Sequence, residues 1–138
     1  MLKDRFHITP FTWMIFGFAI IYALISFVNH LCFRTYGLDL GLYTNHLYDY
    51  AHGSMPTMDM ISDTGEVSLA DDHFDLYLIF FSPLIYLFGS WTLLIVQIAS
   101  ILVGAKGVHT YFKDQPRIAL FAVFFFLSYF GVFSAVSY

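Results

Sequence analysis

The chain has 138 residues, of which 59% are hydrophobic, 21% are aromatic and only 12% are charged. So few charged side chains cannot cover the surface of a soluble domain of this length, and the composition therefore predicts a membrane protein. The six Lys and Arg residues are spread over both ends of the sequence and form no basic patch, which argues against nucleic-acid binding. Cys32 is the single cysteine, so an internal disulfide is excluded.

The first apolar segment covers residues 11–33 and is long enough to be a transmembrane helix. At roughly 1.5 Å per residue it exceeds the ~30 Å hydrocarbon core of a bilayer, so it spans with some tilt. Lys3 and Arg5 precede it. The positive-inside rule then places the N-terminus in the cytoplasm and the next segment outside.

Residues 34–73 form the polar outer segment that follows. Eight of the ten acidic residues of the chain lie between Asp39 and Asp75. A membrane protein that keeps its carboxylates in one segment beside the bilayer is expected to use that segment. Within it, residues 39–52 carry an apolar, aromatic stripe at three- and four-residue steps, which predicts an amphipathic helix at the membrane interface. The stripe consists of Leu40, Tyr43, Leu47, Tyr50 and Ala51. Gly53 is expected to end the helix.

Three further apolar segments cover residues 74–88, 91–112 and 118–138. The first is short for a span, at about 22 Å as a helix, and contains Pro83, so a thin span, a re-entrant helix and an interfacial helix stay open. The positive-inside rule favours a segment that does not cross fully, because the cations after it then lie inside. The sequence thus predicts an all-α polytopic membrane protein with three to four apolar helices and one interfacial helix.

Asp39 is the first candidate for chemistry. A carboxylate at the membrane surface can act as a base or a metal ligand. It can equally serve as the N-cap of a helix that starts at Leu40. Arg34, which follows the first span, either anchors the chain at the interface or holds a phosphate.

Asp71, Asp72 and His73 form the second candidate. Adjacent carboxylates and an imidazole can bind a divalent cation or share a proton. They can also cap an apolar helix that starts at Phe74. Both interpretations stay open.

Other polar or small residues have structural interpretations. His46 is expected to be an interfacial polar residue rather than a metal ligand. Gln97 is a candidate for a hydrogen bond between helices, and Gly104 with Gly107 for close helix packing.

Four short motifs occur in one order along the chain. They are Tyr36-Gly37-Leu38-Asp39-Leu40-Gly41-Leu42-Tyr43, Ala51-His52-Gly53, Asp72-His73-Phe74 and Ser82-Pro83-Leu84-Ile85-Tyr86-Leu87-Phe88. This order resembles the start of a bacterial family of predicted membrane proteins, domain of unknown function 2079, over residues 11–138. In the family, Ser-Pro often follows D-H-F sooner and further spans follow. The resemblance therefore implies that residues 1–138 are the N-terminal part of a larger protein.

That family in turn resembles the GT-C class of membrane glycosyltransferases, which take a sugar from a polyprenyl-phosphate donor on the outer face of the membrane. The resemblance implies a catalytic base at Asp39 and donor or phosphate contacts from Arg34 and His73. Asp71 and Asp72 would hold a divalent metal ion if one is used. In a bacterium the location would be the inner membrane.

Two other functions stay open. The first is a non-catalytic membrane protein or truncated remnant whose outer acidic segment binds a partner. The second is a transporter or channel fragment, which would need ionisable residues facing a pore within the spans.

Overall fold

The computed structural model describes residues 9–35, 37–56 and 76–137, and these residues form helices and the turns between them, with no strand among them. The α-helices are α1 (Pro10–Leu31), α2 (Gly37–Ala51), α3 (Ile85–Phe88), α4 (Thr92–Tyr111), α5 (Pro116–Ser128) and α6 (Phe130–Val136). Short 3₁₀ helices cover Leu76–Phe80, Ser82–Leu84 and Gly89–Trp91. The predicted all-α class is confirmed.

Two helical stretches within the described ranges are long and apolar enough to cross a membrane, namely Pro10–Leu31 and Ser82–Tyr111. A third candidate is the pair α5 and α6, which meet at an angle of 48°. The stretch Ser82–Tyr111 is interrupted at Gly89, whose φ of 54° is incompatible with a continuous α-helix. The expectation that residues 74–88 do not cross the bilayer fully stays a prediction.

The described residues divide into two compact units. One, here called the span unit, holds the residues up to Cys32 and those from Gln97 onward. The other, the loop unit, holds the residues from Phe33 to Val96.

The core of the span unit lies where α1, α4, α5 and α6 bury side chains together. Its buried members are Tyr22, Ile98, Ala105, Val123, Leu127 and Val136. Because lipid tails are as apolar as these side chains, close packing holds such helices together. A Cβ built on Gly104 would lie 3.3 Å from the Phe126 ring, so the predicted close packing at Gly104 is confirmed. Gly107 has nothing within 4 Å of such a Cβ, so the same expectation is wrong for Gly107.

The end of α6 is held by side chains from other helices of the span unit. Gln97 Nε2 donates to the carbonyl of Ala135 at 2.9 Å, and Ser26 Oγ donates to the carbonyl of Val136 at 2.7 Å. The last carbonyls of a helix have no partner within the helix, and an apolar surrounding supplies no water. These bonds satisfy them, and the predicted role of Gln97 between helices is confirmed.

The loop unit is built around α2, which packs against α3 and against the 3₁₀ helices Leu76–Phe80 and Ser82–Leu84. Its buried side chains come from α2, from Pro56 after it, from these two 3₁₀ helices and from the start of α4. They are His46, Leu47, Pro56, Leu78, Ser82, Thr92 and Leu94. Leu47, in the middle of the predicted apolar stripe, is completely buried.

Candidate functional site

The connection from α1 to α2 carries the first predicted site residue. The N–H of Cys32 bonds to the carbonyl of Val28 at 2.9 Å and ends α1. Phe33 follows with φ 55°, a left-handed conformation that costs a bulky residue about 1–2 kcal/mol. Arg34 comes next and is exposed. The strained residue thus lies between the end of α1 and this guanidinium group.

Asp39 lies in the first turn of α2 and is half-buried. The helix begins at Gly37, so the expectation that Asp39 caps a helix starting at Leu40 is wrong. As the third residue of the helix, Asp39 still places its carboxylate in the first turn, near the positive end of the helix dipole. A role other than capping therefore remains available to it.

Asp39, Tyr43 and His46 are separated by four and three residues, so they share one face of α2. The Tyr43 and His46 rings meet nearly at right angles, with their centroids 6.0 Å apart. His46 is completely buried. The expectation that it is an interfacial residue is wrong, because α2 packs within the loop unit on the face that carries it. This face leads from a half-buried carboxylate to a buried imidazole.

The other end of α2 is closed by a Schellman motif. Gly53 has φ 72° and donates to the carbonyl of Tyr50 at 3.1 Å, while Ser54 donates to the carbonyl of Asp49 at 2.9 Å. The predicted end of the helix at Gly53 is confirmed. These two bonds fix the C-terminal end of α2.

Three aromatic rings meet at this closed end, and the contact with the third ring could not be predicted from the sequence. The His52 ring lies 4.0 Å from the Tyr48 ring and 5.7 Å from the Tyr86 ring, measured between centroids. His52 Nδ1 donates to the carbonyl of Tyr48 at 2.8 Å, and the Tyr86 hydroxyl donates to the carbonyl of Ala51 at 2.9 Å. Both bonds satisfy carbonyls of the last turn of α2. The four-residue spacing of Tyr48 and His52 predicts their contact within a helix. Tyr86 lies 34 residues after His52, so helical spacing does not predict its contact.

The second predicted candidate, Asp71, Asp72 and His73, lies outside the described residues. Its metal-binding and phosphate-binding roles stay predictions. Among the residues that the structure does describe, no group of three or more His, Cys, Asp or Glu side chains is placed to hold a metal ion. Of the predicted site residues, the structure places Arg34 and Asp39, both in the loop unit.

Apolar helices of spanning length and an all-helical fold define an all-α polytopic integral membrane protein. The family model described as "Predicted membrane protein (DUF2079)" matches residues 29–138, and the chain belongs to this family. No curated protein and no solved structure matches the chain. The match begins near the end of α1 rather than at residue 11, and it includes Arg34, Asp39 and every helix from α2 onward. The family's description states a membrane location and no activity.

Proposed function

We propose that this chain is the N-terminal module of a GT-C-like glycosyltransferase that takes a sugar from a polyprenyl-phosphate donor. The observation that carries the proposal is the position of Asp39. It is a half-buried carboxylate in the first turn of an amphipathic helix that begins six residues after a candidate membrane span ends. Such a carboxylate can reach an acceptor dissolved in water and a donor held by the membrane.

In the proposed reaction Asp39 is the general base. Its carboxylate takes the proton of an acceptor hydroxyl, and the acceptor oxygen forms a bond to the anomeric carbon of the sugar. The bond between that carbon and the donor phosphate breaks, and the phosphate leaves with the electron pair. The departing phosphate gains negative charge and needs a cation or hydrogen-bond donors. Arg34 is exposed five residues before Asp39 and would supply a guanidinium group.

The residues before Phe74 would complete the site. His73 would bind the donor phosphate beside Arg34. Asp71 and Asp72 would hold a divalent cation if the reaction uses one, since carboxylate oxygens suit such ions. The acidic segment would lie outside the bacterial inner membrane, with the N-terminus in the cytoplasm.

A transporter or channel fragment is less well supported by the polar residues of the span unit. Tyr22, Ser26 and Gln97 all donate to main-chain carbonyls of α5 or α6. Their hydrogen-bonding capacity serves helix packing, whereas a pathway for ions or solutes needs polar groups that face an open passage. The remaining alternative is a non-catalytic protein whose acidic segment binds a partner. The following assay distinguishes this function from that of an enzyme.

The full-length protein that contains this module is reconstituted into liposomes. Transfer of a radiolabelled sugar from a polyprenyl-phosphate donor is then measured. Asp39→Asn keeps the size of the side chain and removes the base, so we expect transfer to fall by about 100-fold or more. Asp49→Asn is the matched control on the same helix, because Asp49 accepts a hydrogen bond from Asn45 at 3.3 Å and carries no proposed role. Equal transfer by the wild type and Asp39→Asn would refute the role of Asp39. Absence of transfer by the wild type, with a range of donors and acceptors, would favour the non-catalytic function.

A further inference from the structure

In the apolar region that covers residues 76–137, the charged residues are confined to one short stretch. Between residues 76 and 137 the fixed charges are Lys106, Lys113, Asp114 and Arg117. Three cations and one anion leave this stretch with two net positive charges. All four side chains are exposed. Each Lys or Arg beside a membrane helix attracts anionic lipid.

The first of these cations lies in a shallow, wide-open groove on the exposed face of α4. The groove has a volume of about 520 Å³ and is lined by Val103, Lys106, Gly107, Thr110 and Tyr111. Gly107 opens its middle, because no atom lies within 4 Å of the place where a Cβ would be. Val103 and Tyr111 precede and follow Gly107 by one helical turn, so apolar and aromatic groups form the two ends.

The polar atoms of the groove differ in their availability to a ligand. The Thr110 hydroxyl donates its proton to the carbonyl of Lys106 at 2.8 Å, so this proton serves the helix itself. The Lys106 ammonium group is on a long, flexible stem and is the charged donor of the groove. A ligand that fits must therefore offer an apolar chain along Val103 and Tyr111 and an anionic group to Lys106.

We propose that this groove binds one anionic phospholipid, with an acyl chain along the open face at Gly107 and the phosphate on Lys106. Lys113 and Arg117 add to the positive potential at the headgroup. The lipid is favoured over a second copy of the chain, because a symmetric contact through this groove would bring two Lys106 side chains together. The proposal is independent of the proposed glycosyltransferase function and of Asp39.

Native mass spectrometry of the protein in mild detergent tests the proposal, with phosphatidylglycerol and phosphatidylcholine of identical acyl chains added in equal amounts. We expect one phosphatidylglycerol to be retained in preference to phosphatidylcholine. Lys106→Ala is expected to weaken phosphatidylglycerol binding about fivefold, because one cation near the anionic headgroup is lost. Lys106→Arg keeps the charge and is expected to retain the binding. Gly107→Leu fills the groove and is expected to weaken the binding of both lipids. Gly17→Leu is its matched control, because Gly17 on α1 has equally open space beside it.

Circular dichroism of each variant establishes that it is folded. If Lys106→Ala does not fold, the pair Gly107→Leu and Gly17→Leu decides the question. Equal retention of the two lipids, or unchanged phosphatidylglycerol binding by a folded Gly107→Leu variant, would contradict the proposal. A dimer that Gly107→Leu abolishes would assign the groove to a second copy instead. Displacement of phosphatidylglycerol by an equal amount of added polyprenyl phosphate would assign the groove to an isoprenoid lipid. Either the dimer or this displacement would overturn the proposal.

Discussion

The hydroxyl of Tyr22 in α1 donates a hydrogen bond to the main-chain carbonyl of Leu127 in α5. In an unbroken helix that carbonyl would accept from the N–H of residue 131. Here α5 ends at Ser128, and residue 131 belongs to the first turn of α6. Tyr22 therefore supplies the bond that the break at Tyr129 removes. A helix can be interrupted at membrane depth only where another part of the protein satisfies the freed backbone groups.

Tyr22→Phe tests this relationship, because it removes the hydroxyl and leaves the ring in the core. The Leu127 carbonyl loses its donor in a buried position, so we expect the free energy of unfolding to fall by about 1–2 kcal/mol. Reversible unfolding in mixed micelles, followed by circular dichroism, measures the change. Tyr111→Phe is the control, since the Tyr111 side chain is 82% exposed. An equal loss in both variants would show that the Leu127 carbonyl does not depend on Tyr22.

Gln97→Leu tests the attachment of α6. The substitution keeps the approximate size of the side chain and removes the donor to the Ala135 carbonyl. We expect the amide protons of α6 to exchange faster with solvent deuterium and those of α1 to be unchanged, because the lost bond holds only the last turn of α6. Ser128→Ala is the matched control. The Ser128 hydroxyl bonds to the carbonyl of Phe124 in its own helix and not to a neighbouring one. Unchanged exchange in α6 of Gln97→Leu would contradict this account.

Part of this architecture could be predicted from the sequence and part could not. Gly53 ends α2 as expected, because few residues other than glycine adopt a positive φ at low cost. The bond from Gln97 was also predictable, since an amide in an apolar helix needs a partner. The break at Tyr129 had no such signal. It lies in a continuous apolar run without proline, and the Leu127 carbonyl that it frees is satisfied by Tyr22, 105 positions earlier.

The candidate site was predictable to a similar extent. Asp39 and Arg34 could be singled out by type and by their position after a span. The start of α2 at Gly37 could not, because the pattern of apolar residues becomes clear only from Leu40. The burial of His46 depends on which face of α2 the 3₁₀ helices cover, and periodicity within α2 does not determine that face.

Gly53→Ala and Gly41→Ala are expected to change the free energy of unfolding in opposite directions. Neither glycine has an atom within 4 Å of an added Cβ, so only backbone conformation differs between them. Gly53 has φ 72°, and alanine there is expected to lower the free energy of unfolding by about 1 kcal/mol. Gly41 lies within α2, where alanine is expected to raise it by about 0.5–1 kcal/mol. Thermal unfolding in detergent measures both changes. A stabilising effect of Gly53→Ala would show that the Schellman motif does not form.

The most direct test of this account is the side of the membrane that each charged segment faces. Single cysteines are introduced at Ser54 and at Gln115, both exposed, in a Cys32→Ser background, because Cys32 is an exposed free thiol. Intact cells are then treated with a thiol reagent that does not cross the membrane. The positive-inside rule predicts that the cysteine at position 54, beside the acidic segment, is labelled and that the one at position 115, between Lys113 and Arg117, is labelled only after the cells are opened. Labelling of position 115 and protection of position 54 in intact cells would place Asp39 inside and contradict the proposed transfer at the outer face.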